Sequence, residues 1–460
     1  MSFPKYPEYK DSGVEWLGEV PAHWEVTPVR AFVEERTSKN ASGDEENYLS
    51  LMSNVGVIPY AEKGDVGNKK PDDLSKCKKV DIGDLVINSM NYGIGSYGLS
   101  GLKGVCSPVY IVLRPVEEKV LPRYALRIFE NKEFQKLAQS FGQGILAHRS
   151  SIGWGDLKNI KVPMPGTTEQ AQLSAFLDHE TARIDALVEE QQRLIELLEE
   201  KRQAVISHAV TKGLDPDVPM TDSGMEWLGE VPAHWKILPL SRTLEAIEQG
   251  WSPNASNTPA APNEWGVVKL SSIKKGSFKE DENKALLPGA DPDPSLEIKN
   301  GDLLVTRANT PELVGDACIA KKRHQSRLIL SDLVYRLTLR ESAKTRFVCW
   351  FLISDFGRSQ IAADARGSSM SMAKVSQSHI RSWLLPLPPA TEQQEIADYV
   401  SKELGDINQL VQASEEALKL LSERRSALIS AAVTGKIDVR GWQPPAGSSV
   451  TADSTQTEMV

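Results

Sequence analysis

Thr168 to Gly213 reads TEQAQLSAFLDHETARIDALVEEQQRLIELLEEKRQAVISHAVTKG. No proline interrupts it, and its only glycine is its last residue. Apolar side chains recur at helical spacing at Ile184, Leu187, Leu194, Leu198 and Val205. Thr167 or Thr168 can cap the start, and Gln170 stands three residues after Thr167, as in a capping box. Gly213 can end it in the left-handed region. At about 1.5 Å per residue such a helix is roughly 65 Å long. That exceeds most globular helices and predicts a coiled-coil arm.

The same pattern returns at Thr391 to Gly435, TEQQEIADYVSKELGDINQLVQASEEALKLLSERRSALISAAVTG, at an offset of 223. Ile407, Leu410, Leu421 and Leu428 stand where Ile184, Leu187, Leu198 and Val205 stood. Each copy carries one polar residue at a heptad core position, Gln191 and Ser414, of the kind that fixes register at some loss of stability. Duplicated arms with matched apolar seams most simply bury each other, so these nine apolar residues are the expected coiled-coil interface. The competing expectation is two amphipathic helices, each packed on its own domain.

A second repeat confirms that the chain is a tandem duplication. Asp11 to Trp24, DSGVEWLGEVPAHW, recurs as Asp222 to Trp235, DSGMEWLGEVPAHW, identical at 13 of 14 positions. Repeats of this kind decide an architecture. The Trp, Leu and Val of the motif suit packing, and Pro21 and Pro232 suit a turn. Between repeat and arm lie two unlike blocks, 25–167 and 236–390, with shared landmarks. Gly83-Asp-Leu85 answers Gly301-Asp-Leu303, and Ile160-Lys-Val-Pro-Met-Pro165 answers Trp383-Leu-Leu-Pro-Leu-Pro388. The blocks mix strands, polar glycine-rich loops and a helical stretch at Tyr124–Gly142. The expected architecture is α+β: two tandem α/β-type domains separated by two long helices, with pseudo-twofold repetition. Its segments are 1–167, the helix 168–213, 214–390 (linker and second domain), the helix 391–435, and a tail, 436–460, whose end is expected to be disordered.

Charge is distributed to match. The 460 residues carry a net −9, but block 25–167 is +2 and block 236–390 is +5, leaving −16 on the helices and repeats. Mildly basic domains on acidic struts suit a polyanion partner, although charges of this size are also ordinary. Cys77, Cys106, Cys318 and Cys349 show no CxxC pairing and read as reduced thiols of a cytoplasmic protein. No stretch approaches eighteen apolar residues, so no membrane span is expected.

Motifs that carry catalysis are missing from the sequence. There is no GxxxxGK(S/T) phosphate loop, no Asn/Asp-Pro-Pro-aromatic methyltransferase signature and no nucleophile elbow with a plausible histidine. Gly93 to Gly98 is a glycine loop with no helix pattern after it. Asp84 and Asp302 follow a glycine before a strand, where turn residues are expected. No catalytic residue and no metal ligand is assigned.

With these residues in hand, the plan resembles the specificity subunit of Type I restriction–modification systems. Glu15-Trp-Leu-Gly-Glu-Val-Pro-Ala-His-Trp24 and its copy at Glu226 to Trp235 each open a target-recognition domain. Pro163 to Gln170 and Pro386 to Gln393 each close one with a Pro-rich strand and Thr-Glu-Gln. The likeness covers essentially 1–440. It implies a protein that reads double-stranded DNA and catalyses nothing. Each domain would recognise one half of an asymmetric bipartite site, and the helices would pair antiparallel and set the half-site spacing. They would also dock two modification (methyltransferase) subunits, and restriction (motor–nuclease) subunits would join. S-adenosylmethionine, ATP and Mg would bind those partners, not this chain.

Base edges are read by Arg, Lys, Asn, Gln, Ser and Thr on loops. The expected DNA-binding residues are therefore Asn88, Asn91, Tyr92, His148, Arg149 and Ser151 in the first domain. In the second they are Arg307, Asn309, Arg366, Ser368, Ser371 and Lys374. A coiled-coil adaptor that binds proteins only, a self-contained DNA-modifying enzyme, and the specificity subunit of a related multi-subunit system are the alternatives.

Overall fold

Thr167–Lys212 and Ala390–Val433 are each one unbroken α-helix, of 46 and 44 residues. They are called the first and second arms below. The computed structural model describes residues 3–66, 69–141, 151–323, 326–365 and 372–444. Each arm is shared between two compact units. Unit 1 is Met1–Gln192 with Glu416–Val460, and unit 2 is Arg193–Glu415.

Within each unit the arm segments run antiparallel. In unit 1 Arg425 Nε donates to Asp185 at 3.0 Å, while Gln172 Nε2 reaches the Arg440 carbonyl at 3.5 Å, so one chain rises as the other falls. In unit 2 Arg202 bonds Asn408, and Gly213 lies beside Glu392.

The buried seam differs from the sequence expectation. Ile184, Leu198, Ile407 and Leu428 are buried, and Val205 and Leu421 half-buried. Leu187, Leu194 and Leu410, however, are 45%, 40% and 54% exposed. The reason is angular. The closed stripe of the first arm runs through Ile184, Val188, Gln191, Ile195, Leu198, Arg202 and Ile206. Leu187 and Leu194 lie roughly 60–80° round the helix from it. Beyond Leu198 the seam uses Ile206, Ala209 and Val210, and in the second arm Ile429, Ala432 and Val433, all buried. Ser414 is buried, as its heptad place demands.

The two units repeat one scaffold. In unit 1 the strands β1 (Val33–Glu35), β2 (Leu85–Asn88), β3 (Tyr97–Leu99) and β4 (Tyr110–Pro115) form an antiparallel sheet in the order β1-β4-β2-β3. In unit 2, β5 (Leu244–Gln249), β6 (Leu303–Thr306), β7 (Ala317–Ile319) and β8 (Val334–Leu339) form the order β5-β8-β6-β7. Strand periodicity explains the layering. Leu85 and Ile87 face a core with Tyr124, Phe129, Phe134 and arm residues, while Val86 faces a smaller core with Leu49 and Cys106. Leu303 and Val305 face the helix side, and Leu304 faces a β layer with Val268 and Leu328.

Helices cover one face of each sheet. Pro122–Glu130 and Lys132–Ser140 meet at Asn131, whose side chain accepts the Glu133 amide at 2.9 Å. Thr345–Ile353 and Asp355–Asp364 meet at Ser354, whose hydroxyl accepts the Gly357 amide at 3.1 Å. Such short polar residues satisfy the first free amides of a helix. They break the predicted 124–142 helix into two, at the same place in both units. The four cysteines are free and buried, and burial is the main cause that pushes the Cys106 thiol up to about 12.

The shared landmarks now have structural reasons. Asp84 and Asp302 each cap the turn before the second sheet strand, accepting the amides of Asp81 (2.8 Å) and Lys299 (2.9 Å). Each also meets an arginine, Arg36 at 2.7 Å and Arg336 at 3.2 Å. Gln170 makes no capping box. Its amide donates to the carbonyls of Lys119 and Pro165 and accepts the Leu121 amide. Gln393 does the same with Ser342, Pro388 and Lys344. The repeated motif seats on an arm's end in each unit. Gly435, at φ +74, lies so close to Pro21 and Trp24 that a Cβ would come within 2.3 Å of Pro21, and Gly213, at φ +78, faces Pro232 and Trp235. His23 bonds Glu169 at 2.9 Å and His234 bonds Glu392 at 2.8 Å.

Candidate nucleic-acid interface

The strand ends decide where loops can carry chemistry. In unit 2, β6 ends at Thr306 opposite Val334, the start of β8, and β5 ends at Gln249 opposite Tyr335. Three connections therefore leave one end of the sheet. A fourth joins them: Ala308–Asn309 pairs with Ala373–Lys374, and the Val375 amide donates to the Arg307 carbonyl at 2.9 Å. The structure thus gathers Arg307, Asn309 and Lys374, from two loops 65 residues apart in sequence, onto one short ribbon. Lys374 is exposed, and Arg307 and Asn309 are half-buried. Arg307 is held by its own backbone and side chain: its amide donates to Leu333 O at 2.7 Å and its Nη1 to Asp332 O at 3.3 Å.

Unit 1 builds the same end with different residues. β2 ends at Asn88 opposite Tyr110, and the Ile152 amide donates to the Ser89 carbonyl at 3.1 Å. Ser89 therefore holds the place of Arg307, and Ser151 that of Lys374. Asn91 and Ser151 are exposed there. Two expected readers do other work. Tyr92 is 1% exposed, sits in the main core, and donates its hydroxyl to Phe129 O at 2.6 Å. Burial raises its phenol well above the usual value. A residue enclosed in this way presents nothing to a ligand. Asn88 is also buried, and its Oδ1 accepts the Met90 amide at 3.1 Å, closing the turn. His148, Arg149, Arg366, Ser368 and Ser371 lie outside the described residues.

Ser89 itself is buried and donates its hydroxyl to Val109 O at 3.0 Å, so it holds the strand end and presents nothing. Sequence reasoning missed how the first domain is held to its arms. Arg425 bonds Glu130 at 2.7 Å and Asp185 at 3.0 Å, and Arg127 bonds Glu130 and, at 2.5 Å, Asp178. Glu130 and Arg127 are buried, where broken ion pairs are expensive. In unit 2 the equivalent places are Arg202, Asn408 and Ile353, so this acid cluster is absent, and Ser207 instead bonds Asp355 at 3.0 Å. Among the described residues no group of three or more His, Cys, Asp or Glu is placed to hold a metal ion.

A family model described as the Type I restriction modification DNA specificity domain matches residues 38–197, from the first domain into the first arm. Over that stretch the chain is similar to the DNA specificity domain of Type I restriction–modification systems. Its relatives agree in extent. It is 22% identical over 449 residues to the Type I restriction enzyme EcoKI specificity subunit of Escherichia coli (strain K12), covering 93% of this chain and 91% of that protein. It is 23% identical to a putative MjaX specificity subunit of Methanocaldococcus jannaschii, covering 96% and 99%. The match to the EcoEI specificity subunit of Escherichia coli is 29% identical but local: 207 residues, 44% of this chain and about a third (34%) of that protein. A chain from a solved type I R-M system structure shares the fold, with a TM-score of 0.67 at 14% identity over 90% of this chain and 98% of that one. In this chain the scaffold is common to both units and the sheet-end residues are not. No helix among the described residues is long and apolar enough to cross a membrane.

Proposed function

We propose that each unit reads one half of an asymmetric, bipartite site in double-stranded DNA through the sheet-end loops. One observation carries this reading. The two units place the same strands in the same order and present unlike residues at the same end, Asn91 and Ser151 against Arg307, Asn309 and Lys374. Arginine and lysine favour guanine edges and asparagine favours adenine, so two such ends select two different half-sites. Specificity subunits are in general recognition components without catalysis, and we place the methyltransferase and endonuclease chemistry in partner subunits. S-adenosylmethionine, ATP and Mg belong with those partners, and the complex works on DNA in the cytoplasm.

The arms set the distance between half-sites and dock two methyltransferase subunits, which restriction subunits then join. Support for docking comes from leucines that their own unit leaves about half exposed: Leu187 and Leu420 in unit 1, and Leu410 and Leu197 in unit 2. By the offset of 223 these are the same two positions of the repeat. Two equivalent apolar patches suit two copies of one partner, since exposed apolar surface marks interaction sites. The test is DNA binding by the complex of this chain with its methyltransferase across a salt series. A linear fall of log affinity with log salt, together with preference for one bipartite sequence, is expected. Salt-insensitive binding without sequence preference overturns the reading.

A further inference from the structure

Trp251 is 44% exposed and belongs to none of the apolar clusters around it. An indole left in water on a loose loop would mean little, but this loop is fixed. The Gly250 amide donates to Val334 O at 3.3 Å and the Trp251 amide to Leu330 O at 3.0 Å. Ser252 Oγ bonds the Asp332 carboxylate and accepts the Asp332 amide at 3.2 Å, and Gln249 Nε2 reaches Asp332 O at 3.2 Å. Gly250 permits this approach, for a Cβ there would stand 2.2 Å from Leu330 O. The backbone that carries the indole is therefore fixed at this end of the sheet.

Its neighbours say what the partner is. The Asp332 carbonyl that receives Gln249 also receives Arg307 Nη1, and Arg307 carries the ribbon with Asn309 and Lys374. Trp251 thus stands at the end of the sheet where the polar readers stand. Among the described residues unit 1 has no counterpart. There β1 stops at Glu35, the Arg36 amide closes on Val112, and Lys39 pairs with Lys78 instead. The aromatic belongs to the second domain alone, which is where a residue selecting one half-site has to be.

We propose that Trp251 is a DNA-contacting specificity residue, packing its indole on a base or sugar of the second half-site beside Arg307 and Asn309. This rests on the reading of the second domain as a DNA reader. Aromatic faces gain from stacking on bases without neutralising a phosphate. The test uses the full chain in complex with its methyltransferase. The probes are a duplex bearing the bipartite motif found by methylome sequencing and the same duplex with its second half scrambled.

Affinity for the cognate duplex should fall roughly ten-fold in W251A and stay within about three-fold in W251F. Binding to the scrambled duplex and the slope against salt should be unchanged in both. W251A binding the cognate duplex as tightly as the unaltered complex overturns the proposal, as does an equal loss on both duplexes. If W251A lowers the melting temperature of the complex, W251Q supplies the comparison, and a ten-fold loss there with normal melting is the expected result. Should the unaltered complex fail to distinguish the two duplexes, the reading of the second domain falls, and this proposal with it.

Discussion

At the scale of single residues, loop position and loop exposure have to be separated. Asn88, Asn91 and Tyr92 lie within five residues of one another, yet only Asn91 is exposed. Polar type and loop context made all three candidates; the hydroxyl of Tyr92 turning inward to Phe129 could not be inferred from either. The contrast makes a test. Tyr92→Phe removes one of two side-chain donors to the Phe129 carbonyl, Gln135 Nε2 being the other, and should lower stability by about 1 kcal/mol. It should leave DNA sequence preference unchanged. Arg307→Ala should do the reverse, holding the unfolding midpoint while weakening binding to the cognate duplex by about 1–3 kcal/mol. Denaturant unfolding and duplex binding on both variants check this, and a change of sequence preference in Tyr92→Phe would return it to the reading surface.

At the scale of elements, the sequence showed the arms, their repetition and their ends, because a 46-residue helix and a left-handed glycine stop leave unmistakable patterns. It did not show the seam. A spacing of three or four residues is satisfied by Leu187 as well as by Val188, and only the neighbouring domain decides which is covered. The Glu and Gln of Thr-Glu-Gln were visible as a motif, but their partners, His23 or His234 and the preceding carbonyls, are far away in sequence. The sheets carry an ion pair with a clear pH signature. The Arg336 guanidinium on β8 bonds Glu248 on β5 and holds its carboxyl below the usual value of 4.5. A depressed carboxylate contributes stability in full above its unfolded value and loses it as pH falls through the lower folded value. Stability should therefore decline as pH drops below about 4.5. Glu248→Gln should decline less steeply in that window. Unfolding midpoints measured from pH 5 downward decide it, and identical acid limbs would remove Glu248 from the account.

At the scale of the whole molecule, duplication separates what is common from what is specific. The common parts are the sheet order, the helix break at Asn131 and Ser354, and the motif seated on Gly435 and Gly213. The differing parts are the sheet-end residues and the acid cluster around Glu130, which is lost where Ile353 replaces it. Common features suit a common partner, so Leu187→Glu with Leu410→Glu should abolish capture of the methyltransferase subunit. The chain's own melting temperature should change little, because both leucines are about half exposed and outside the buried seam; retained capture would contradict docking on the arms. The central claim is that this chain chooses the sequence. The most direct measurement is methylome sequencing of a host carrying the chain and its methyltransferase, with and without a replacement of residues 236–390 by another such domain. The account predicts a bipartite, asymmetric motif with a fixed gap, in which the replacement changes one half and leaves the other and the gap intact. Methylation that is unaffected by the replacement, or that persists when the chain is deleted, would contradict it.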